Sequence, residues 1–523
     1  MRCFLVGCFL LLASAACGFS ADTYPPADSL KDVYSSADAV FIGEIQDIQV
    51  SKRYFFLFPA EYTLTLSLKK AWKGVGLEKV VLETGSRRAD CGSSLTKGES
   101  YLVFVNDQAV QIKHLTRAAD ELDYLNSLYL RLPRPFGPHA IGTKNFYFVD
   151  STRPESFTPD PDDHREVAFR VWYPALLPKE SRPVSLIENP QELGRIYASY
   201  SPLPPTALDA LSSVETYSYR DADILRSTEP FPILLFSHAY WAGMTQSTVL
   251  MEELASYGYI VVSIGHAYET SHFPREDGSI KAFDPRNEEF RLRGLERKNT
   301  LDIQRRISET EDRQELETLL RELSKLRPKT IESLHIWADD ISFVIDKLEE
   351  MNRGSGFFGG KLDTARIGVL GHSFGGAAST QVCLTDKRCK AGINIDGLQL
   401  GDLIYKNLIR PFMFVHHDNV EVKNRTPNQF FFERVDNTAY LLLIKGTRHL
   451  NFSDISIPGY ASILGLPPEA LGRINGKRCL DIQNHYVLAF FDKHLKEMDS
   501  GLLNSPTPEY PEVEIWTREQ ERN

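Results

Sequence analysis

The first part of this 523-residue chain alternates apolar with polar side chains. Segments 39–45, 62–68 and 101–105 carry that alternation, and turn-forming residues separate them. A period of two residues is the pattern of strands that bury one face. The sequence therefore predicts a small all-β domain over residues 22–128.

Beyond a proline-rich hinge at residues 131–138, the pattern changes to continuous apolar runs separated by helical periodicity. Residues 232–238 and 259–264 are two such runs. Strands that are apolar on both faces belong to a parallel sheet with helices on each side. The fold class predicted for residues 136–497 is therefore α/β with a mostly parallel central sheet, and residues 498–523 are left as a tail.

Residues 286–352 interrupt the alternation of strands and helices with a highly charged segment. Its apolar side chains recur at three- and four-residue spacings, as Leu316, Leu319, Leu320 and Leu323 illustrate. That spacing predicts an amphipathic helical insertion. Its place in the chain suits a lid over a site, and a solvated helical hairpin without a gating role fits the pattern equally well.

Residues 1–21 have the anatomy of a secretory signal peptide, with Arg2, an apolar stretch and then small residues. We therefore expect an exported protein, either secreted or periplasmic. Cleavage after Ala16 would make Cys17 the first residue, where it could form a disulfide or carry a lipid. Because Ser14 does not fit a lipoprotein signal, a lipid anchor at Cys17 is the less favoured of the two.

Charge and cysteine content narrow the classes of function. The chain has 70 acidic and 59 basic residues without a strong block of either sign, which argues against a nucleic-acid partner. Seven cysteines are few for an exported chain of this length, so stability must come from burial. Cys383 and Cys389 either bridge a loop or are two unpaired buried thiols.

The strongest chemical signal is the segment 366–377, an apolar strand that runs into Gly-x-Ser-x-Gly. This pattern is the nucleophile elbow of α/β-hydrolases, in which a serine lies on a sharp turn between a strand and a helix. Gly371 and Gly375 leave room for that turn. Ser373 is therefore the candidate nucleophile, and N–H groups at the start of the helix could stabilise an oxyanion.

A serine hydroxyl needs a histidine to take its proton and an acid to orient that histidine. His449 lies in a loop after the apolar strand 439–444, which makes it the candidate base. Asp396 and Asp418 each end a strand beyond Ser373, and the pattern alone leaves both open as the acid. No His-Glu-x-x-His or clustered Cys/His pattern indicates a metal, and no cofactor is expected.

Several of these segments resemble the plasma (group VII) platelet-activating factor acetylhydrolase family over residues 136–496. The likeness is carried by segments 165–175, 235–238, 367–376, 394–397 and 446–454. The resemblance implies a serine carboxylic-ester hydrolase that removes short acyl groups from phospholipid-type esters through an acyl-enzyme. Small ester or phospholipid substrates and contact with a lipid surface are the partners it implies.

The same resemblance assigns roles to residues. It implies Ser373 as nucleophile, Asp396 as acid and His449 as base, with an oxyanion hole made by the backbone N–H groups of Phe374 and Tyr240. Relatives usually have glycines where this chain has Ala239 and Tyr240-Trp241. His238 is expected to hold this loop, and His266 and Tyr268 to line the pocket or to be structural.

Residues 24–125 resemble netrin-like, metalloproteinase-inhibitor-like OB-fold domains, through segments such as 37–43, 71–74, 90–92 and 98–104. Members of that family form disulfides between their cysteines. This segment has only Cys91, and Cys17 lies just ahead of the start of the segment. An adhesive or structural β-barrel appended to an enzyme fits this module, and a module that binds a protein partner fits it as well. Two other functions fit the whole chain: a broad dienelactone-hydrolase-like or polyester esterase, and a non-catalytic extracellular binding protein on a hydrolase scaffold.

Overall fold

The computed structural model divides the chain into two compact units, Met1–Asn126 and Ser127–Asn523, so the division falls just ahead of the proline-rich hinge. The residues that the structure describes are 10–11, 39–52, 61–73, 79–84, 97, 99–106, 109–114, 131–177, 182–197, 207–275, 277, 279–281, 287–418 and 426–519. Cys17, Cys91 and all of the expected signal peptide except residues 10–11 lie outside them.

The described residues of the first unit form one sheet, whose strands run in the order β1-β4-β3-β2-β5-β6. The pairs from β4 to β6 are antiparallel, and β1 joins β4 in parallel. Leu64 and Leu66, two residues apart in β3, are fully buried, as expected where one face of a strand is apolar, whereas the consecutive residues Val40 and Phe41 of β2 are both buried. The strands are β1 (Leu10–Leu11), β2 (Ala39–Lys52), β3 (Glu61–Lys73), β4 (Lys79–Thr84), β5 (Ser100–Asn106) and β6 (Ala109–His114).

The second unit alternates strands with helices. Its strands are β7 (Ala140–Pro154), β8 (His164–Ala175), β9 (Ser218–Arg220), β10 (Phe231–Ser237), β11 (Ile260–His266), β12 (Phe273–Pro274), β13 (Ile280–Lys281), β14 (Leu362–His372), β15 (Cys389–Ile395), β16 (Phe412–His417), β17 (Ala439–Ile444) and β18 (Val513–Arg518). Its α-helices are α1 (Pro190–Tyr197), α2 (Ala207–Ser212), α3 (Thr248–Ser256), α4 (Glu288–Asn299), α5 (Leu301–Glu309), α6 (Arg313–Lys325), α7 (Pro328–Arg353), α8 (Phe374–Thr385), α9 (Thr426–Phe432), α10 (Tyr460–Ile463) and α11 (Gly476–Leu495). Short 3-10 turns cover Asp402–Ile404, His449–Phe452, Asp454–Ser456 and Pro468–Ala470.

Ten of these strands form one mixed sheet in the order β18-β17-β16-β15-β14-β10-β11-β8-β7-β9. The six strands from β17 to β11 are parallel, whereas β8 pairs with β11 and β18 with β17 in antiparallel fashion. This confirms the predicted α/β class with a mostly parallel sheet. The carboxyl ends of β10, β14, β15 and β17 meet at one edge, where such sheets build their sites.

Helices cover the sheet on both faces. On one face α7 and α8 bury Leu334, Trp337 and Ala377 in a large apolar cluster. On the other face α3 and α11 bury residues such as Leu254 and Phe490 in a second cluster. Continuous apolar strands are stable here because each has a helix layer above and below it.

Two segments differ from the sequence-based expectation. The last helix of the predicted insertion, α7, lies on the sheet as the crossover before β14, so α4, α5 and α6 form the added part. The expected tail contains β18, which pairs with β17 and extends the sheet. As an edge strand, β18 is short and needs only one apolar face, and it follows a proline-rich segment. Its hydrophobic pattern in the sequence is therefore weak.

Cys383, in α8, and Cys389, at the start of β15, form a disulfide with 5.0 Å between their Cα atoms. The bridging alternative is therefore the one that the structure contains, while Cys479 is a buried free thiol. Within the described part of the chain, no helix is both long enough and apolar enough to cross a membrane.

Candidate active site

Ser373 lies on a sharp turn between β14 and α8, with φ of 57° and ψ of −122°. A side chain at Gly375 would come within 2.1 Å of the Ser237 carbonyl oxygen, and one at Gly371 within 2.3 Å of the Gly375 carbonyl oxygen. Only glycine fits where the end of β10 passes so close. The turn leaves Ser373 partly exposed, ahead of a helix whose first N–H groups have no intrahelical acceptor.

Three predicted site residues are connected by hydrogen bonds. His449 Nε2 lies 3.0 Å from Ser373 Oγ, and His449 Nδ1 lies 2.6 Å from Asp396 Oδ2. The side chain of His449 is 42% exposed and that of Asp396 is 3% exposed. With Nδ1–H donating to the carboxylate, Nε2 is free to accept the hydroxyl proton of Ser373.

Asp396 follows β15 directly, in the left-handed region at φ of 54°. Its carboxylate accepts the backbone N–H of His417 at 3.1 Å and lies 2.7 and 2.8 Å from His417 Nδ1. These hydrogen bonds, with those from His416 and His449, hold the pKa of Asp396 well below its usual range in spite of its burial. Sequence reasoning missed His417, whose signal was a polar residue at the end of a strand beside the site.

Asp418, the other candidate acid, faces a different group. Its Oδ2 accepts the backbone N–H of Gly446 at 2.8 Å, and its own N–H donates to Thr447 Oγ1 at 3.2 Å. Gly446 has φ of 73°, in the turn that follows β17. Asp418 therefore braces the turn that leads to His449, whereas Asp396 contacts the imidazole itself.

Tyr240, the second expected oxyanion residue, lies in the loop after β10. Its ring packs edge-on against Phe374 with 5.6 Å between centroids, and its hydroxyl accepts a hydrogen bond from Arg293 at 3.0 Å. The ring contact brings Tyr240 beside the first residue of α8. The next residue, Trp241, is 58% exposed and has φ of 68°, a conformation that is rare for a bulky side chain.

Gln246 connects the loop after β10 to the segment that carries His449. Its Oε1 accepts the Ala239 N–H at 2.6 Å, and its Nε2 donates to His372 Nδ1 at 2.5 Å. His372 Nε2–H in turn donates to the carbonyl oxygen of His449 at 3.1 Å. Burial lowers the pKa of His372 to about 3, so its ring is neutral and both nitrogens are engaged. Sequence reasoning also missed Gln246, which has no motif of its own.

A second serine, histidine and aspartate are connected by hydrogen bonds, starting from Ser237, the last residue of β10. Ser237 Oγ is 2.9 Å from His266 Nε2, and His266 Nδ1 is 2.9 Å from Asp340 Oδ2. All three are fully buried. Arg165 holds Asp340 through two hydrogen bonds of 3.1 and 2.7 Å. His266 is therefore structural and does not line a pocket.

The other two expected residues near this array also have defined contacts. His238 Nδ1 lies 2.8 Å from the Ala239 carbonyl oxygen, and burial lowers the pKa of His238 to about 3. His238 thus holds the loop, as expected. Tyr268 is half-buried and stacks on Phe157 with 5.5 Å between ring centroids.

Among the described residues, His372, Asp396 and His449 form the one group whose potential ligand atoms lie within 4.8 Å of one another. Each of their nitrogens already has a hydrogen-bond partner, namely Gln246, the His449 carbonyl oxygen, Asp396 or Ser373. The arrangement is a hydrogen-bonded relay, and it is suited to moving a proton from Ser373 to His449.

A family model described as platelet-activating factor acetylhydrolase, isoform II, matches residues 126–504. This match contains the second unit except its last residues. It leaves out the first unit, whose likeness to netrin-like domains stays an expectation.

Curated relatives are similar to part of the chain. A platelet-activating factor acetylhydrolase of Canis lupus familiaris is 27% identical over 286 residues, covering 52% of this chain and 59% of the relative. The Gallus gallus protein of that name is 25% identical over 381 residues, covering 70% of this chain and 84% of the relative. An Arthroderma benhamiae protein named as a probable 1-alkyl-2-acetylglycerophosphocholine esterase is 34% identical over 166 residues, covering 28% and 43%. The chain thus spans 59% of the length of the dog relative.

Among solved structures, a ferulic acid esterase from Streptomyces cinnamoneus is similar with a TM-score of 0.55 and 24% sequence identity. The alignment covers 74% of this chain and 98% of the esterase. At that identity the likeness concerns the fold, and it confirms the α/β-hydrolase architecture.

Proposed function

This chain belongs to the platelet-activating factor acetylhydrolase isoform II family, and on that premise we propose that it is a serine carboxylic-ester hydrolase. The observation that carries the proposal is the hydrogen-bonded line from Ser373 through His449 to Asp396, with Ser373 on an elbow at a helix start. Nucleophile, base and orienting acid are the three parts that acyl transfer by serine requires.

In the proposed mechanism, His449 Nε2 takes the proton of Ser373 as Oγ attacks the ester carbonyl carbon. Asp396 keeps Nδ1–H of His449 oriented and stabilises the imidazolium that forms. The carbonyl oxygen becomes an oxyanion, which accepts hydrogen bonds from the backbone N–H groups of Phe374 and Tyr240. Each donor of this kind contributes about 10²–10³ in rate.

Collapse of this intermediate breaks the ester bond, and His449 gives its proton to the departing alcohol oxygen. The acyl group stays on Ser373 Oγ. A water molecule then enters, loses a proton to His449 and attacks the acyl carbon. The bond from the acyl carbon to Ser373 Oγ breaks, His449 gives its proton to Oγ, and the acid leaves. The partial exposure of Ser373 and His449 provides the route for that water.

For the substrate, we propose phospholipid-type esters with short acyl groups, since the named relatives carry that activity in their names. Tyr240 and Trp241 lie in the loop after β10, and the rings of Phe290 and Phe374 pack against Tyr240, so this aromatic group suits an apolar chain next to the ester. We also propose export on the pattern of residues 1–21, and a protein-binding role for the first unit.

The test compares 2-thioacetyl platelet-activating factor with p-nitrophenyl acetate and p-nitrophenyl butyrate, using full-length protein and Ser373→Ala as the inactive control. Cleavage of the phospholipid with a sharp preference for acetyl supports the proposed substrate class. Cleavage of the simple esters with a broad chain-length range supports a general esterase instead. No turnover of any ester by a folded protein would favour the binding-protein alternative.

A further inference from the structure

Asp396 faces three imidazoles: His449 and His417 contact its oxygens directly, and His416 Nδ1 lies 3.8 Å from Oδ1. His449 Nδ1 contacts Oδ2 at 2.6 Å, while His417 Nδ1 contacts Oδ1 at 2.8 Å and Oδ2 at 2.7 Å. The backbone N–H of His417 adds a further bond of 3.1 Å to Oδ1. The mechanism described above needs only the bond from His449, so His417 is a second, unassigned titratable group on the same carboxylate.

The charges around His417 favour a proton on its ring. The carboxylates of Asp396 and Asp418 both attract it, whereas burial and the guanidinium of Arg448 oppose it, and the result is a pKa above the usual value. His416, the neighbour on the same strand, is fully buried and has a lowered pKa. The side chain of His417 is 29% exposed, so water can reach its ring.

We propose that His417 is a positioning residue of the active site, which fixes the Asp396 carboxylate and binds a proton beside it. This inference rests on the proposed function. The imidazoles of His417 and His449 have centroids 6.4 Å apart, so a positive ring of His417 repels a second proton at His449.

The test is the pH dependence of kcat/KM for p-nitrophenyl acetate in His417→Asn. The amide nitrogen of asparagine lies near the position of Nδ1 and can still donate to Asp396, but it does not titrate. We expect the acid limb to move upward by about 0.5–1 pH unit, which lowers kcat/KM below the limb by about 3- to 10-fold. The alkaline plateau should fall less than about 3-fold, because positioning is largely kept.

His485→Asn is the matched control. His485 also has a raised pKa, to about 8, through Asp481 on the same helix, but it contacts neither Asp396 nor His449. Its removal should leave the acid limb in place. An acid limb that is unchanged in His417→Asn would overturn the inference, since His417 would then carry no charge that acts on the site.

Histidine ring resonances, followed by NMR from pH 4 to 9, give a reading that does not depend on turnover. In the wild type, the ring of His417 should titrate above the usual pKa of histidine, and that titration should be absent in His417→Asn. A normal NMR result in a protein that cleaves no ester would defeat the proposed function alone. Turnover with no shift in either measurement would defeat this inference alone.

Discussion

Two arrays of serine, histidine and aspartate in this molecule have almost the same hydrogen bonds. In the Ser373 array the serine lies 3.0 Å from its histidine, and in the Ser237 array the distance is 2.9 Å. The distances from histidine to carboxylate are 2.6 and 2.9 Å. Distances alone would rank the two arrays as equal candidates for nucleophilic catalysis.

Their surroundings differ in every other respect. The Ser373 array lies at an elbow, with a histidine that is 42% exposed and a helix start beside the serine. In the Ser237 array, the serine ends a central strand and the His266 ring stacks flat on Trp337 with centroids 3.9 Å apart. No ester can approach the second serine, so its array serves the fold.

The acids differ as well. Asp340 is held by Arg165 and also by Arg153, whose Nη1 lies 2.9 Å from Oδ1, so cations already balance its charge. Burial lowers the pKa of His266, which opposes the imidazolium that general-base catalysis requires. Asp396 has only histidine partners among the contacts described above. A catalytic acid must therefore keep its negative charge available to stabilise the protonated histidine. Ion pairs with arginines would neutralise that charge.

The largest difference between the arrays should come from removing each serine. Ser373→Ala should lower kcat/KM for p-nitrophenyl acetate by about 10⁴- to 10⁶-fold, because no other group can form the acyl-enzyme. Ser237→Ala should keep the reaction within about 10-fold and cost about 1–3 kcal/mol of stability, since His266 loses a buried partner. A fluorophosphonate should label wild type and Ser237→Ala but not Ser373→Ala. Labelling at Ser237 would reverse the assignment.

The second test exchanges the acids. Asp396→Asn should lower kcat by about 10³- to 10⁴-fold, because asparagine no longer selects the tautomer with Nδ1–H or stabilises the imidazolium. Asp418→Asn is the matched change at the next strand end. It should reduce kcat by about 10-fold or less, through a loosened turn at Gly446. Equal losses in the two variants would mean that Asp418 shares the role of the acid.

The catalytic residues also show how much of the candidate site could be predicted from the sequence. Ser373 and His449 follow from local patterns, an elbow and a loop after an apolar strand, and the structure brings both together. Asp396 and Asp418 each end a strand, and the choice depends on which carboxylate the fold turns toward the histidine. That is a tertiary contact across separate βα units, which no local pattern contains.

The Ser237 array was harder to find from sequence for a related reason. Asp340 lies in a highly charged segment. One more carboxylate there, even among buried positions such as Trp337 and Ile341, does not stand out as a functional residue in the sequence. Its partner Arg165 is 175 residues away in the chain. The one local signal was an acidic residue at apolar helical spacing in α7.

The third test concerns stability rather than rate. Asp340→Asn should destabilise the protein by about 3–5 kcal/mol, because Arg165 stays buried and keeps only Glu155, at 3.2 Å, as its ion-pair partner. The pKa of Asp340 lies below its usual range, so its contribution is full above about pH 4 and is lost as the pH falls further. The stability difference from wild type, measured by urea unfolding, should therefore shrink below about pH 4. A difference that is constant with pH would contradict this account.

The smallest effect should come from Gln246, which belongs to neither array but connects their loops. Gln246→Leu removes the bonds to Ala239 and His372 while keeping a similar volume, so the Tyr240 N–H and the backbone of His449 lose a common support. We expect kcat to fall by about 10- to 30-fold with KM changed less than about 3-fold, because oxyanion donors act mainly in the transition state.

Gln429→Leu, at an exposed helical position, is the matched control and should leave both constants unchanged. Gln246→Glu separates the two bonds, since a carboxylate can still accept from Ala239 but no longer offers the amide donor to His372. If the bond to the oxyanion loop matters more, this variant should recover most of the lost kcat. A rise in KM with constant kcat in Gln246→Leu would instead place Gln246 in ground-state binding, and the connection between the two loops would then have no part in the chemistry.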